Sequence, residues 1–195
     1  MTELTKRQEE IIQSSIQIID KRGIQGLTIK NLSKEIGVTE GAIYRHFENK
    51  REILSSILIQ FKDNLKAFTD YMDDSSLTTY EKISGILNHF RKIFEANPAI
   101  VSVIFAEEIF QNDNELSKVI AAILQNNQQF LLGIIKEGQQ RGELREDLNP
   151  TMMVDSIFGP FRLLVKKWKM EEFDVSLKEG MDEFLQYLSA TIFRR

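Results

Sequence analysis

Residues 28–47 read Thr-Ile-Lys-Asn-Leu-Ser-Lys-Glu-Ile-Gly-Val-Thr-Glu-Gly-Ala-Ile-Tyr-Arg-His-Phe. Thr28 is placed to cap a short helix, since its hydroxyl accepts from one of the N–H groups that the first turn leaves unpaired. That helix carries Ile29, Leu32 and Ile36 on one face and stops at Gly37. Val38 fills the turn, and Thr39 caps a second short helix from Glu40 to about His46. Two short helices joined at a glycine describe a helix-turn-helix, whose second helix enters the major groove by its N-terminal end. Leu32, Ile36, Val38 and Ile43 are the apolar contacts expected to hold the pair together, and Phe47 is expected to be a core anchor.

Working outward, 3.6-residue periodicity continues in both directions. Upstream, Ile12, Ser15, Ile16 and Ile19 share a face, which predicts a first helix over about 4–22 with Gly23 and Gly26 flanking its exit. Downstream, Asn49 caps a helix with Leu54, Ile57, Leu58, Phe61, Leu65 and Phe68 in a stripe. The polar run at 70–78 is the main break. A fifth helix follows, with Ile83, Leu87, Phe90 and Phe94 on one face. Asn97-Pro98 and Asn149-Pro150 each pair a cap with a proline whose missing N–H costs nothing in the first turn. They predict a nearly apolar sixth helix over about 98–111 and an eighth beginning at 150. Between them a long seventh helix runs from about Asn114 to Arg141, and Asp174 or Ser176 opens the last. No stretch alternates as a strand does. The expectation is an all-α fold of about nine helices. A helix-turn-helix domain over 1–48 precedes a larger helical effector-binding and dimerisation domain over 49–195, with a helix at 49–70 connecting them.

The assignment of roles follows from side-chain chemistry. Thr28, Thr39, Tyr44 and Lys50 are candidates for phosphate contacts, which position a protein on DNA. Glu40, Gly41 and Arg45 are placed near base edges, where a carboxylate accepts from a cytosine amine. Gly41 and Ala42, with little or no side chain, allow close backbone approach. His46 either joins this surface or caps and packs at the helix end. Residues 1–66 hold 11 Lys and Arg against 9 Asp and Glu, while 67–195 hold 14 against 20. A polyanion contact therefore belongs at the front of the chain.

This stretch resembles the N-terminal domain of TetR-type bacterial transcriptional regulators. The family pattern is Phe-x-x-x-Gly at the end of the first helix, then Thr-x-x-x-Ile-Ala-x-x-Ala-Gly-Val-Ser-x-Gly-x-x-Tyr-x-His-Phe-x-x-Lys-x-x-Leu. Ile19 stands at the Phe position and Gly23 at the glycine. Thr28, Leu32, Ser33, Ile36, Gly37, Val38, Thr39, Gly41, Tyr44, His46, Phe47, Lys50 and Leu54 fall at the rest. Leu32, Ser33, Ile36 and Thr39 depart from the consensus, and Ile36 in place of Ala demands extra packing volume. The resemblance covers about residues 8–54. It implies a homodimer, a palindromic duplex DNA operator, repression more often than activation, and release by a small ligand. It also implies dimerisation through the last two helices, here with Phe161, Leu164, Trp168, Phe184 and Leu188 as the candidate interface.

For the effector, the second half carries a heavy load of Phe. Phe90, Phe94, Phe105, Phe130, Phe158 and Phe161 are candidate lining for a largely apolar ligand, lipid-like or multi-ring. Glu108 and Asn127 interrupt apolar faces, and each needs a partner when buried, either a neighbour or water, or a ligand group. Glu108 would favour a cationic or hydrogen-bond-donating ligand.

Other classes find little support. The only histidines, His46 and His89, lie far apart, and with no cysteine a site of mixed nitrogen and sulfur ligands is excluded, so no metal or cofactor is expected. Glu107 and Glu108 are adjacent on a helix and point about 100° apart, a poor paired-acid site. Gly138 to Gly142 reads as a helix end rather than a phosphate cradle. No apolar run approaches the roughly 20 residues that span a bilayer. The first ten residues lack the apolar core of a signal peptide, so a cytoplasmic protein is expected. The remaining alternative is a helical interaction or adaptor protein without DNA binding, which would show no affinity for any duplex.

Overall fold

The computed structural model describes residues 4–72, 76–105, 113–171 and 174–194, with side chains described for all of these but 64–72. Among the described residues there are nine α-helices, and the only pairing of strand type is an isolated bridge between Leu144 and Phe193. Two compact units are formed: residues 1–64 with 97–122, and residues 65–96 with 123–195.

In the first unit, α1 (Lys6–Gly26) opens on a reciprocal cap. Thr5 Oγ1 accepts from Gln8 N, while Gln8 Oε1 accepts from Thr5 N at 3.0 Å. Ile11, Ile12, Ile16 and Ile19 are buried along one face, and Ser15 joins them because its hydroxyl donates to Ile11 O at 2.7 Å. The helical path breaks at Gly23 (φ 66°, ψ 174°), a backbone region that only glycine enters at no cost. One further turn reaches Gly26, beyond the exit expected at residue 22.

Next, α2 (Ile29–Ile36) and α3 (Glu40–Tyr44) are capped by Thr28 and Thr39, which accept from Asn31 N at 3.1 Å and Ala42 N at 3.3 Å. Gly37 ends α2 in the left-handed conformation, φ 76°. The first helix packs on α2, and α2 on α3. α3 is shorter than expected, with Arg45 as its C-cap and His46 N donating back to Ile43 O.

Asn49 Oδ1 accepts from Glu52 N at 3.0 Å and opens α4 (Lys50–Met72). α6 (Ile100–Ile104) departs from the sequence reading. It begins after Ala99 with no side-chain cap, and the Asn97 amide nitrogen donates to Gln13 Oε1 at 3.3 Å. It ends at Phe105, well before 111, and residues 106–112, with Glu107, Glu108 and Phe110, lie outside the described ones. α6 packs on α1, where Ser102 Oγ donates to Asp20 Oδ1 at 2.5 Å.

In the second unit, Thr78 and Glu81 form another reciprocal cap on α5 (Thr79–Ala96), and those donors hold the Glu81 carboxyl below its ordinary range. α7 (Asn114–Gln140) begins in the first unit, where Asp113 Oδ1 accepts from Glu115 N and Leu116 N, and continues into the second. α8 (Pro150–Met170) starts on the expected Asn149 cap, and α9 (Leu177–Thr191) on Ser176. α9 packs on α5 and α8. Its end is tied to the α7–α8 turn: Arg145 N donates to Ile192 O and Arg194 N to Glu143 O, each at 3.0 Å.

Candidate nucleic-acid interface

The helix-turn-helix has a buried inner face and an outer face made of the residues proposed to meet DNA. Leu32 and Ile43 are wholly buried and Phe47 nearly so, whereas Ile36 and Val38 are half-buried. Ile36 thus needs no enlarged core, because part of it stays in water. Thr28, Thr39, Glu40, Gly41, Tyr44 and Arg45 are exposed, and Ala42 and His46 are half-buried. In both caps the threonine oxygen is the acceptor, so each hydroxyl proton is left to donate to a phosphate oxygen. A methyl group built on Gly41 meets nothing nearer than Thr39 Oγ1 at 4.0 Å. The glycine therefore answers no packing demand inside the chain.

Lys50 stands differently from the expectation of a simple exposed contact. It is half-buried, and its Nζ donates to Ile24 O at 2.5 Å, a second bond to a carbonyl that also accepts from Leu27 N at the end of α1. Burial pushes its ammonium below the ordinary lysine value. Two of its three N–H donors remain beyond that bond.

Two links of this unit were not legible in the sequence. Arg51, in the first turn of α4, pairs with Asp113 at 2.5 Å, joining the segment after the recognition helix to the start of α7. The Arg51 guanidinium holds the Asp113 carboxyl below its usual range. The second is the Ser102–Asp20 bond between α6 and α1. Polar partners 62 and 82 positions apart leave no periodic signal.

In the second unit three of the candidate effector residues come together. Phe90, Phe94 and Phe161 form a cluster with centroids 5.6–6.3 Å apart, all three buried. Such spacing is that of favourable ring pairs. Asn127, Phe130 and Phe158 are half-buried in the same unit, while Phe105 belongs to the first and Glu108 lies outside the described residues.

With this architecture in hand, two family models match the chain: the tetR family of bacterial regulatory proteins over residues 11–57, and the YsiA-like protein C-terminal region over 61–190. The chain belongs to the TetR family. The fatty acid metabolism regulator protein of Bacillus subtilis (strain 168) is 29% identical, with 95% of each chain covered. The crystal structure of the transcriptional regulator FadR from Bacillus subtilis, in complex with stearoyl-CoA, aligns at TM-score 0.75 and 27% identity, covering 92% of this chain and 96% of that one. A ketosteroid transcriptional regulator of Mycobacterium tuberculosis aligns at TM-score 0.85 over 99% and 98% of the two chains, but at 18% identity it shares only the fold.

As a TetR-family member the protein is a DNA-binding, ligand-responsive transcriptional repressor that works as a homodimer, and not an enzyme. The adaptor alternative falls with that assignment. Among the described residues no helix is long and apolar enough to cross a membrane.

The candidate dimer residues divide. Phe161, Trp168 and Leu188 are buried within the chain itself, at 4%, 6% and 1% exposure, so in the folded chain they serve its own core. Leu164 and Phe184 are half-buried, and Leu164 packs so close to Gly180 that an added methyl there would lie 2.7 Å from its Cδ1. The large apolar side chains that α8 and α9 leave in water are Met152, Leu163, Met170 and Tyr187, exposed by half or more. Periodicity located the apolar stripes, and packing turned Phe161, Trp168 and Leu188 inward.

Proposed function

We propose that this TetR-family repressor binds a palindromic operator as a homodimer and releases it when a long-chain acyl thioester of coenzyme A occupies its effector domain. The observation that carries the ligand class is the stearoyl-CoA complex of FadR from Bacillus subtilis, 27% identical to this chain. The name of the 29% identical relative, a fatty acid metabolism regulator, points the same way. The composition supports it: burying an alkyl chain gains roughly 0.8 kcal/mol per methylene, and Phe90, Phe94, Phe130, Phe158 and Phe161 of the second unit offer apolar lining. Asn127 offers an amide donor suited to a thioester carbonyl. Glu108 suits the amide N–H groups of the pantetheine arm.

Residues 1–48 are assigned to DNA reading and 49–195 to effector binding and dimerisation, with the helix at 49–70 between them. Thr28, Thr39, Tyr44, His46 and Lys50 take phosphates, and Glu40, Gly41, Ala42 and Arg45 face the bases. The homodimer forms over α8 and α9, through Leu163 and Tyr187 on the outer face together with the half-buried Leu164 and Phe184. The protein acts in the cytoplasm, where its operator is. Segment 97–122 shares a compact unit with the DNA-reading helices. Movement of that segment on ligand binding would pull on α1 through Ser102–Asp20 and on α4 through Arg51–Asp113.

The experiment selects genomic fragments with purified protein, then titrates the retained duplex with stearoyl-CoA, stearate and coenzyme A separately. Enrichment of a palindrome, released by the thioester alone, is expected. Enrichment without two-fold symmetry sinks the operator geometry. Equal release by stearate moves the ligand class to free fatty acids, and no release by any of the three ends the acyl reading.

A further inference from the structure

Beside the recognition helix lies a cleft of about 200 Å³ lined by Arg7, Val38, Ala42, Ile43, Arg45 and His46. Val38, Ala42 and Ile43 make its floor apolar. Its rim gathers two guanidinium groups and an imidazole from two separate elements: Arg7 from the first turn of α1, Arg45 and His46 from the end of α3. Bringing cations together costs energy unless something negative shares the space. The carboxylate that does so is Glu10, one turn along α1, which takes a single Arg7 nitrogen, Nη1, at 2.5 Å. Both partners of that pair are about half in water, at 46% and 49% exposure. A pair so exposed contributes little to holding the fold. Among the described residues neither the Arg45 nor the His46 side chain has a hydrogen-bond or ion-pair partner. Three donor-bearing groups around an apolar floor, with one loosely held carboxylate, are arranged for an oxyanion that arrives from outside.

The source of that anion follows from position. The cleft adjoins Gly41, Tyr44 and Arg45, all exposed on the helix that reads DNA. A duplex presented to that helix brings backbone phosphates to its flanks. We propose that Arg7, with His46 and flanked by Arg45, seats one phosphate of the operator backbone in this cleft. α1 then grips the duplex as well as the helix-turn-helix. Arg7 carries five N–H donors in a planar fork, and the bond to Glu10 leaves enough of them for two parallel bonds to phosphate oxygens. The inference rests on the DNA-reading assignment above and adds to it a contact from an element outside the motif.

A phosphate contact has a signature that a base contact or a fold contact lacks. Each neutralised phosphate contributes about 0.9 to the slope of log affinity against log salt concentration. The test measures binding of a labelled duplex, selected by the wild-type protein from a random pool, and of an unrelated duplex, between 50 and 200 mM salt. For Arg7→Ala the slope is expected to fall by about 0.9 per protomer, about 1.8 for the dimer. The affinity lost across that salt range then shrinks roughly tenfold. Both duplexes should weaken together, leaving their ratio unchanged, and Arg7→Lys should keep the wild-type slope. The melting temperature of each variant confirms that the fold is intact. A wild-type slope in Arg7→Ala, or a loss confined to the selected duplex, overturns the contact. If the wild type itself selects no duplex, the DNA-reading assignment fails and takes the contact with it. If free inorganic phosphate shifts the NMR signals of Arg7 and His46 while the slope stays put, the cleft is an anion site of another kind and the backbone contact is refuted.

Discussion

Replacing Gly41 by alanine should make this protein more stable and a poorer DNA binder. Gly41 is the second residue of α3, and its backbone is not in the positive-φ class that holds Gly23, Gly37 and Gly142. The new methyl finds only Thr39 Oγ1, at 4.0 Å, so no internal clash opposes it. What remains is propensity: alanine is favoured over glycine in a helix by roughly 0.5–1 kcal/mol. For a chain of this size that is a rise of about 1–4 °C in melting temperature at fixed protein concentration. On the outer side the same methyl stands where the backbone is proposed to approach the duplex. Holding the recognition helix away from the groove forfeits a base contact, about 1–3 kcal/mol, or roughly 5- to 150-fold in affinity. Calorimetry and fluorescence anisotropy on one preparation read both numbers. An unchanged operator affinity in a stabilised Gly41→Ala protein would falsify the close approach. A lowered melting temperature would instead show that the glycine serves the fold.

Five further outcomes follow from the structure. Leu163→Glu, on the outer face of α8, should shift sedimentation equilibrium toward monomer by about 2 kcal/mol or more with helicity intact. Leu188→Glu should instead unfold the chain, since an unpaired carboxylate at a site 1% exposed costs about 4 kcal/mol or more; a folded Leu188→Glu monomer would reverse this assignment. Lys82 is 3% exposed and bound to Glu137 at 3.0 Å, so Glu137→Gln strands a buried ammonium. Since Glu137 is 42% exposed, solvent screening holds that cost to about 1–2 kcal/mol, while Lys82→Met is near neutral; urea titrations giving the opposite order would refute it. The Asp113 carboxyl is depressed by Arg51, so its stabilising effect is present above the ordinary value of 3.8 and fades as the pH falls through the lower folded value. The melting-temperature gap between wild type and Asp113→Asn should accordingly be open at pH 7 and close under acid, and a gap that persists there counts against the ion pair. Finally, Asn127→Leu should blunt the response to stearoyl-CoA while leaving ligand-free operator affinity intact, and an identical dose–response would return Asn127 to a structural role.

Much of this protein was decided by short-range physics that a sequence exposes. Thr28, Thr39 and Asn149 cap helices where their spacing to the following apolar residues says they must, because an N-cap bond reaches only two or three residues, while of the two candidates Asp174 and Ser176 the folded chain uses Ser176. Gly37 is read correctly as the turn of the motif, since the left-handed conformation it adopts is one that other residues avoid. The order of the nine helices among the described residues and the TetR assignment rest on the same local signals. Tertiary structure decided what depends on which of several adequate partners wins. Asn97 had the pattern of a cap, yet its amide went to Gln13 on another helix, and α6 began without it. Lys50 had the position of a phosphate contact, but the Ile24 carbonyl beside the Gly23 kink, which also accepts from Leu27 N, takes one of its donors. Periodicity shows that α8 and α9 have apolar faces without saying which faces inward. Only packing against the chain's own helices buried Phe161, Trp168 and Leu188 and left Leu163 and Tyr187 in water. The cleft that joins Arg7 to Arg45 and His46 exists because α2 packs on α1 and α3 on α2, and no spacing along the sequence encodes such a meeting.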